Sequence, residues 1–174
     1  MPLVVSIAEM QVSPNPDVTL VTYALGSCIA VALHDPVRRA GGMIHYMLPT
    51  CSAASDRGKE NPVMFGDTGI PLLFESMYAL GCRKADLLVY VAGGAQIQDN
   101  EHVFNIGKRN YTLLRKIFWK NNVIITAEHV GGDVSRTLSL DVGSGRVRVR
   151  IHGAETLLSS GAQPPFDATR RSES

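Results

Sequence analysis

The chain has 174 residues, of which 45% are apolar and 19% are charged, and its formal net charge is +1. This length and composition predict a single globular domain with a substantial core, and they exclude an intrinsically disordered chain. The balanced charge and the 6% aromatic content argue against a basic or base-stacking surface for nucleic acid, so no nucleic-acid partner is expected.

Targeting signals and metal motifs are not evident in the sequence. The first apolar run lacks a basic start and is soon interrupted by Glu9, which argues against a secretory signal. No uncharged apolar stretch reaches membrane-spanning length, so membrane insertion is not expected. The three cysteines form no Cys-x-x-Cys pair, which argues against a disulfide framework and a zinc site. We therefore expect a cytoplasmic protein with reduced thiols and no metal ion.

Apolar runs and turn signals predict eight strands and two helices. The run 29–33 is apolar throughout, which indicates a strand buried on both faces. Near the other end, arginines alternate with valine and isoleucine over 146–151, which predicts a strand with one wet face. In chain order the strands are predicted at 3–12, 18–24, 29–34, 42–48, 86–92, 123–130, 135–142 and 146–152, and the helices from about 67 to 80 and about 105 to 121.

The order of these elements predicts an α+β fold. Strands come first, then a helix, a strand and a helix, and then strands again, which is not the regular alternation of βαβ units. We expect a mainly antiparallel sheet covered by the helices, in a single domain over residues 1–152. The polar segment 49–62 is expected to be a surface loop that could cover a site. The polar segment 153–174 is expected to be a poorly ordered tail.

A cysteine and a histidine are the first candidates for chemistry. Cys28 follows a strand that ends in Gly26-Ser27, and His45 lies within a later strand. A turn at Asp35-Pro36 can pair the strands on its two sides as a hairpin, which could bring the two side chains together. A thiol beside a base is the minimum requirement of a cysteine nucleophile. The competing interpretation is a buried structural cysteine and a hydrogen-bonded structural histidine.

Other polar and glycine motifs are weaker candidates. Gly93-Gly94 follows a strand, but no Gly-Lys-Ser/Thr comes after it, so tight turns are favoured over a phosphate loop. The double glycines at strand ends are consistent with the rim of one cleft. We interpret Asp133 with Arg136 as an exposed pair or a structural turn, Glu128-His129 as a weaker second catalytic pair, and Cys51 and Cys82 as bystanders.

An ordered set of motifs resembles the CheD family, the chemoreceptor glutamine deamidases of bacterial and archaeal chemotaxis. The set begins with Leu25-Gly26-Ser27-Cys28 and Asp35-Pro36, and the likeness covers roughly residues 3–152. The segment 92–98 departs from the family pattern, which often has a third glycine and a Met-Phe-like pair there. The remaining matches are Gly41-Gly42-Met43-Ile44-His45, Met47-Leu48-Pro49, Ala92-Gly93-Gly94-Ala95, Asn105-Ile106-Gly107-Lys108-Arg109-Asn110, and Gly131-Gly132 with Arg136.

The resemblance implies a fold, a site and partners. The fold would be a sandwich of mainly antiparallel sheets flanked by two helices, similar to the catalytic domains of deamidating bacterial toxins. Cys28 would be the nucleophile, His45 its base, and Thr22 the residue that orients His45. The substrate would be a receptor glutamine, a second partner would be the CheC phosphatase, and no cofactor would be needed.

The implied reaction is covalent hydrolysis of a side-chain amide. The thiolate of Cys28 would attack the amide carbon, and His45 as an imidazolium would protonate the departing ammonia. Backbone N–H groups of Ser27 and Cys28, made accessible by Gly26, would stabilise the oxyanion. Two alternatives stay open: a noncatalytic adaptor that binds chemoreceptors and CheC, and a thiol hydrolase or transglutaminase-like enzyme that acts on another amide.

Overall fold

The computed structural model describes residues 1–51, 60–97 and 105–158, which contain ten strands and two α-helices. Two short 3-10 helices, Pro62–Met64 and Lys84–Asp86, precede α1 and β6. The elements in chain order are β1 (Pro2–Val4), β2 (Glu9–Ser13), β3 (Thr19–Leu25), β4 (Ile29–Asp35), β5 (Ala40–Tyr46), α1 (Gly66–Ala79), β6 (Leu88–Gly93), α2 (Ile106–Lys120), β7 (Ala127–Val130), β8 (Arg136–Asp141), β9 (Val147–Ile151) and β10 (Ala154–Leu157).

The strands form two five-stranded sheets. The first sheet has the order β1-β3-β8-β9-β10, and the second has the order β2-β5-β4-β6-β7. Adjacent strands are antiparallel except in the pairs β1–β3 and β6–β7. The predicted α+β class with mainly antiparallel sheets and two helices is therefore confirmed. None of the helices in the described segments is long and apolar enough to span a membrane.

Two apolar layers hold the fold together. The layer between the sheets contains Ala30 and Ala32 of β4 and Leu138 of β8, while the layer between the second sheet and the helices contains Val31 of β4 and Leu73 of α1. Successive side chains of β4 therefore point into different layers, as the pleat of a strand requires. The prediction that this apolar run is buried on both faces is confirmed.

The predicted first strand, residues 3–12, is wrong as one element. The chain turns between β1 and β2, and the two strands belong to different sheets. Ala8 has a φ of +59° at this turn, and its N–H donates to the carbonyl of His45 at 2.8 Å. An apolar run with no glycine or proline gave no local signal for such a turn. The predicted strand at 123–130 is likewise shorter, because only Ala127–Val130 pair with β6.

Ordered structure continues beyond the predicted boundary at residue 152. His152 and Gly153 have φ values of +49° and +78°, and this tight turn returns the chain as β10, which pairs antiparallel with β9. Leu158 is buried against the layer between the sheets. The predicted start of the tail is corrected accordingly. The rest of the predicted tail, from 159, and most of the predicted loop, 52–59, lie outside the described residues.

Candidate active site

The pairing of β4 with β5 places Cys28 and His45 on one face of the second sheet. Ala30 lies directly opposite His45, and Cys28 precedes Ala30 by two residues. Cys28 is the last residue of the bend at 26–28 and leads directly into β4. Cys28 and Ala30 both belong to the layer between the sheets. Cys28 and His45 therefore both border the layer between the sheets.

Thr22 reaches His45 from the other sheet. Its Oγ1 lies 2.7 Å from His45 Nδ1, and its hydroxyl donates to the carbonyl of Val5 at 2.6 Å. A hydroxyl has only one proton to donate, so the bond to His45 must run from Nδ1–H to the threonine oxygen. This assignment leaves the lone pair of a neutral His45 on Nε2.

The environment of His45 keeps its ring neutral. Only 2% of the residue is exposed, and Nε2 is buried without a hydrogen-bond partner within the described residues. Burial lowers the pKa of His45 to about 4, because a charged imidazolium loses its hydration in the core. At neutral pH, Nε2 is therefore a base on the face of the sheet that carries Cys28.

Hydrogen bonds to carbonyl groups fix the turn that carries Cys28. Peptide groups are planar, so a carbonyl held on one side of the turn directs the N–H of the same peptide to the other side. This arrangement orients the N–H groups of Ser27 and Cys28 away from the residues that bind the turn. Three carbonyls are held: Gly26 O by Ala95 N at 2.9 Å, Ser27 O by Asn110 Nδ2 at 3.0 Å, and Cys28 O by Gly94 N at 2.8 Å.

Close packing explains the glycines around this turn. A Cβ on Gly26 would lie 2.6 Å from the side chain of Ile97, so this glycine provides space rather than an unusual backbone angle. Gly93 has a φ of +113°, and a Cβ there would lie 2.2 Å from the carbonyl oxygen of Cys28. A Cβ on Gly107 would meet the carbonyl of Ala95 at 2.3 Å. The glycine loop after β6 therefore packs closely against the turn that carries Cys28.

Asn110 joins the two strand ends that carry the candidate dyad. It is fully buried, and its Nδ2 donates to Ser27 O at 3.0 Å and to Met47 O at 2.9 Å. In the sequence, Asn110 stands out only as part of the motif 105–110, which predicts no role for it. The available signal was its spacing, since it lies four residues before Leu114 and shares the buried face of α2. A polar residue in an apolar stripe needs a hydrogen-bond partner.

The weaker candidates have structural positions. Arg136 is 2% exposed, and its guanidinium donates to the carbonyls of Gly131 and, at 2.5 Å, of His129. Burial lowers its pKa, and its hydrogen bonds hold the segment 129–131 against the start of β8. The predicted exposed pair with Asp133 is therefore wrong for Arg136. The hydroxyl of Tyr111 donates to the Glu128 carboxylate at 2.8 Å. Glu128 and His129 are neighbours in β7, so their side chains face opposite sides of the sheet rather than each other. The described part of the chain contains no cluster of His, Cys, Asp or Glu able to hold a metal ion.

The cysteines are expected to differ in reactivity. Burial, followed by the neighbouring Asp35, raises the pKa of Cys82 to about 11, so its thiolate is scarce near neutral pH. We expect iodoacetamide at pH 7.5 to modify Cys28 at least about tenfold faster than Cys82 in the native protein. Peptide mass mapping over time measures both rates, and the same labelling in denaturant should equalise them. Equal, slow rates in the native protein would contradict an activated Cys28.

Comparison with known proteins places the chain in a family. Residues 47–151 match the family model "CheD chemotactic sensory transduction". A protein of Syntrophus aciditrophicus, named probable chemoreceptor glutamine deamidase CheD 1, is 50% identical over 151 residues, covering 87% of this chain and 94% of that protein. A Solibacter usitatus protein, named probable chemoreceptor glutamine deamidase CheD, is 46% identical, covering 88% of this chain and 90% of that protein.

A more distant relative in Clostridium botulinum strain Hall is also named probable chemoreceptor glutamine deamidase CheD. It is 37% identical, and the match covers 87% of this chain and 94% of that protein. Among solved structures, a Neisseria meningitidis protein of family DUF152 aligns with a TM-score of 0.37 and 15% identity, over 71% of this chain and 51% of that one. The resemblance found in the motifs is confirmed by the relatives over nearly the whole described structure. This chain belongs to the CheD family.

Proposed function

We propose that this chain is a chemoreceptor glutamine deamidase that converts receptor glutamine side chains to glutamate through a thioester on Cys28. The names of its relatives supply the reaction and the substrate class. One observation supports the assignment of the site most strongly. Thr22 accepts a hydrogen bond from His45 Nδ1 across the two sheets, and it leaves Nε2 without a described partner on the face that carries Cys28.

The first half of the reaction forms the thioester. Neutral His45 accepts the thiol proton at Nε2 while the Cys28 sulfur forms a bond to the amide carbon. This order differs from the expected resting thiolate–imidazolium pair, because burial lowers the pKa of His45 to about 4. The carbonyl electron pair moves onto oxygen, where the N–H groups of Ser27 and Cys28 would stabilise the oxyanion. As the tetrahedral intermediate collapses, His45 gives its proton to the amide nitrogen, the C–N bond breaks and ammonia leaves.

The second half of the reaction restores the enzyme. Water attacks the thioester carbon while His45 Nε2 accepts a water proton, and a new C–O bond forms. Collapse of the second tetrahedral intermediate breaks the C–S bond, and the imidazolium returns its proton to the sulfur. The product is a glutamate side chain, and the protein ends in its starting protonation state. The hydroxyl of Thr22 keeps the same nitrogen facing the sulfur through both halves.

The proposal extends to the cellular role. Conversion of glutamine to glutamate adds a carboxylate to a receptor helix, which would alter its packing and so contribute to chemotactic adaptation in the cytoplasm. We also propose, from the resemblance to the family, that residues 1–152 act as one catalytic domain, to which the structure adds β10 and Leu158, and that CheC is a second partner. A noncatalytic adaptor for receptors and CheC is the competing function.

Mass spectrometry separates the deamidase from the adaptor. A cytoplasmic chemoreceptor fragment is incubated with the full chain or with Cys28→Ala, digested and mapped. We expect the full chain to convert specific glutamines to glutamates with release of ammonia, and we expect the variant to leave them unchanged. Receptor binding without any change in mass would contradict the deamidase and support the adaptor.

Removal of the Thr22 hydroxyl should weaken catalysis without abolishing it. In Thr22→Val, Nδ1–H of His45 loses its buried acceptor, so the ring loses its fixed tautomer and orientation. We expect kcat for deamidation to fall about 10- to 100-fold, with KM changed less than about twofold. Thr22→Ser keeps the hydroxyl and should retain most of the activity. Equal losses in both variants would show that methyl packing, and not the hydrogen bond, is what matters at position 22.

A further inference from the structure

Helix α2 concentrates positive charge on its exposed surface. It contains no acidic residue, although the formal net charge of the chain is only +1. Positive charge separated in this way creates a local field that can steer and hold an acidic partner. The basic residues of the helix, all of them exposed, are Lys108, Arg109, Arg115, Lys116 and Lys120.

Two adjoining depressions make a groove between α2 and β7. The first, of about 520 Å³, is lined by Gly94, Lys108 and Arg115, and the second, of about 490 Å³, is lined by Arg115 and by the exposed side chains of Trp119 and Ile124. Arg115 is common to both, so they form one groove along the helix. The Gly94 end adjoins the turn that carries Cys28, because Gly94 N–H donates to the carbonyl of Cys28 at 2.8 Å.

The spacing of the groove residues suits a helical ligand. Lys108, Thr112, Arg115 and Trp119 follow the i, i+4, i+7, i+11 pattern of one helix face, and all four are exposed. They extend over about 16 Å of helix axis. Cations therefore lie near the active site and in the middle of the groove, and an apolar surface lies at the far end, where Trp119 and Ile124 are 80% and 84% exposed.

The strand side of the groove carries less charge than the helix side. Glu128 lies there, and its carboxylate already accepts the hydroxyl of Tyr111. Asp133 follows the groove residue Gly132 and is exposed. Two cations, Lys108 and Arg115, and one carboxylate, Glu128, line the groove, so its lining would attract an acidic partner and repel a basic one.

We propose that the groove between α2 and β7 docks an acidic, amphipathic helix of the protein substrate and thereby presents its glutamine to Cys28. Carboxylates of the docked helix lie against Lys108 and Arg115, and apolar side chains of the same helix cover Trp119 and Ile124. The inference rests on the proposed deamidase function and adds to it a site that recognises the substrate away from the reacting amide.

The single tryptophan gives a direct test of docking that does not need catalysis. Trp119 is the only tryptophan of the chain, and it lies in the groove. A tryptophan-free, acidic chemoreceptor fragment is titrated into Cys28→Ala, and emission and acrylamide quenching are recorded. We expect a blue shift and at least about twofold weaker quenching at saturation, because the docked helix removes the ring from water. An unchanged spectrum despite binding would overturn the proposal. A shift that depends only on the concentration of this chain would assign the groove to a second copy and would also overturn it.

Charge reversal tests the same groove through kinetics. Lys108→Glu/Arg115→Glu changes two groove cations, and Lys116→Glu/Lys120→Glu makes the same change in charge on the same helix outside the groove lining. At about 0.15 M salt, where charges are screened within about 8 Å, we expect the groove variant to raise KM for the receptor fragment at least tenfold with kcat retained. The control variant should raise KM less than about twofold.

A short neutral glutamine peptide distinguishes failure of docking from failure of the function. It cannot fill the groove, so wild type and groove variant should deamidate it at equal rates. If the wild type deamidates the receptor fragment but both double variants have the wild-type KM, docking in the groove is wrong and the deamidase stands. If the wild type deamidates neither substrate, the proposed function fails, whatever Trp119 reports. Melting curves establish that the variants are folded.

Discussion

Deamidation of a chemoreceptor fragment by Cys28→Ala is expected to be at least about 10,000-fold slower than by the wild type, because no other group can form the thioester. Neutral His45 cannot replace the sulfur. Without Cys28, its Nε2 could only deprotonate a water molecule for direct attack on the amide, with no covalent intermediate. The measurement is kcat from released ammonia and mass-mapped glutamate at saturating receptor fragment. Fragment binding by the variant, followed through Trp119, should remain close to that of the wild type.

Cys82→Ala is the matched control for this loss. Cys82 is also a buried cysteine, but it packs in the layer between the second sheet and the helices, away from His45. We expect Cys82→Ala to keep kcat within about twofold and to lose only about 1–2 kcal/mol of stability from lost packing. If Cys28→Ala retained a tenth or more of wild-type activity, a covalent mechanism through Cys28 would be excluded.

Local patterns predicted the elements whose neighbours are close in sequence. The apolar run of β4, the turn after it and the strand β5 form a hairpin whose register follows from burial. Both helices lie within one or two residues of their predicted bounds. The break between β1 and β2 was missed because it depends on which sheet each half joins. The turn into β10 was missed because polar residues conceal a strand that only its partner β9 stabilises.

The residues of the candidate site also divide into those that local patterns predict and those that depend on contacts distant in sequence. Hairpin geometry made Cys28 and His45 a reasonable pair from the sequence alone. Thr22 came from the resemblance to the family, because its contact with His45 crosses from one sheet to the other. Such a contact has no local period and can be predicted only when the packing of the sheets is known. The role of Asn110 was missed for the same reason, since it binds carbonyls that are distant in sequence.

Replacement of His45 is the second change expected to have a large effect. In His45→Gln the side chain keeps a similar size but can neither accept the thiol proton nor protonate ammonia. We expect kcat to fall about 1,000-fold, as is typical for the loss of a general acid–base. In the wild type, kcat/KM should rise with pH through an acid limb set by the coupled thiol and imidazole, and the residual activity of His45→Gln should lack that limb.

Stability should depend on pH through the same residue. The folded-state pKa of His45 is about 4, below its unfolded value near 6.5. Between these values the unfolded chain binds a proton that the folded chain does not, so stability falls as the pH decreases from about 6.5 to about 4. A difference of about 2.5 pKa units corresponds to about 3 kcal/mol. Above pH 6.5 neither state is protonated at this site, and the full contribution is present.

Denaturant titrations of wild type and His45→Gln from pH 7.5 to 4 measure this contribution. The variant should lose less stability than the wild type over that window, by about 3 kcal/mol. Some slope should remain, because burial also lowers the pKa values of His34 and His129. His129→Gln is the matched control, and it should keep both the activity and the contribution of His45. Parallel stability curves for wild type and His45→Gln would mean that the imidazole is not held neutral in the core. The base that accepts the proton of Cys28 would then have to be sought elsewhere.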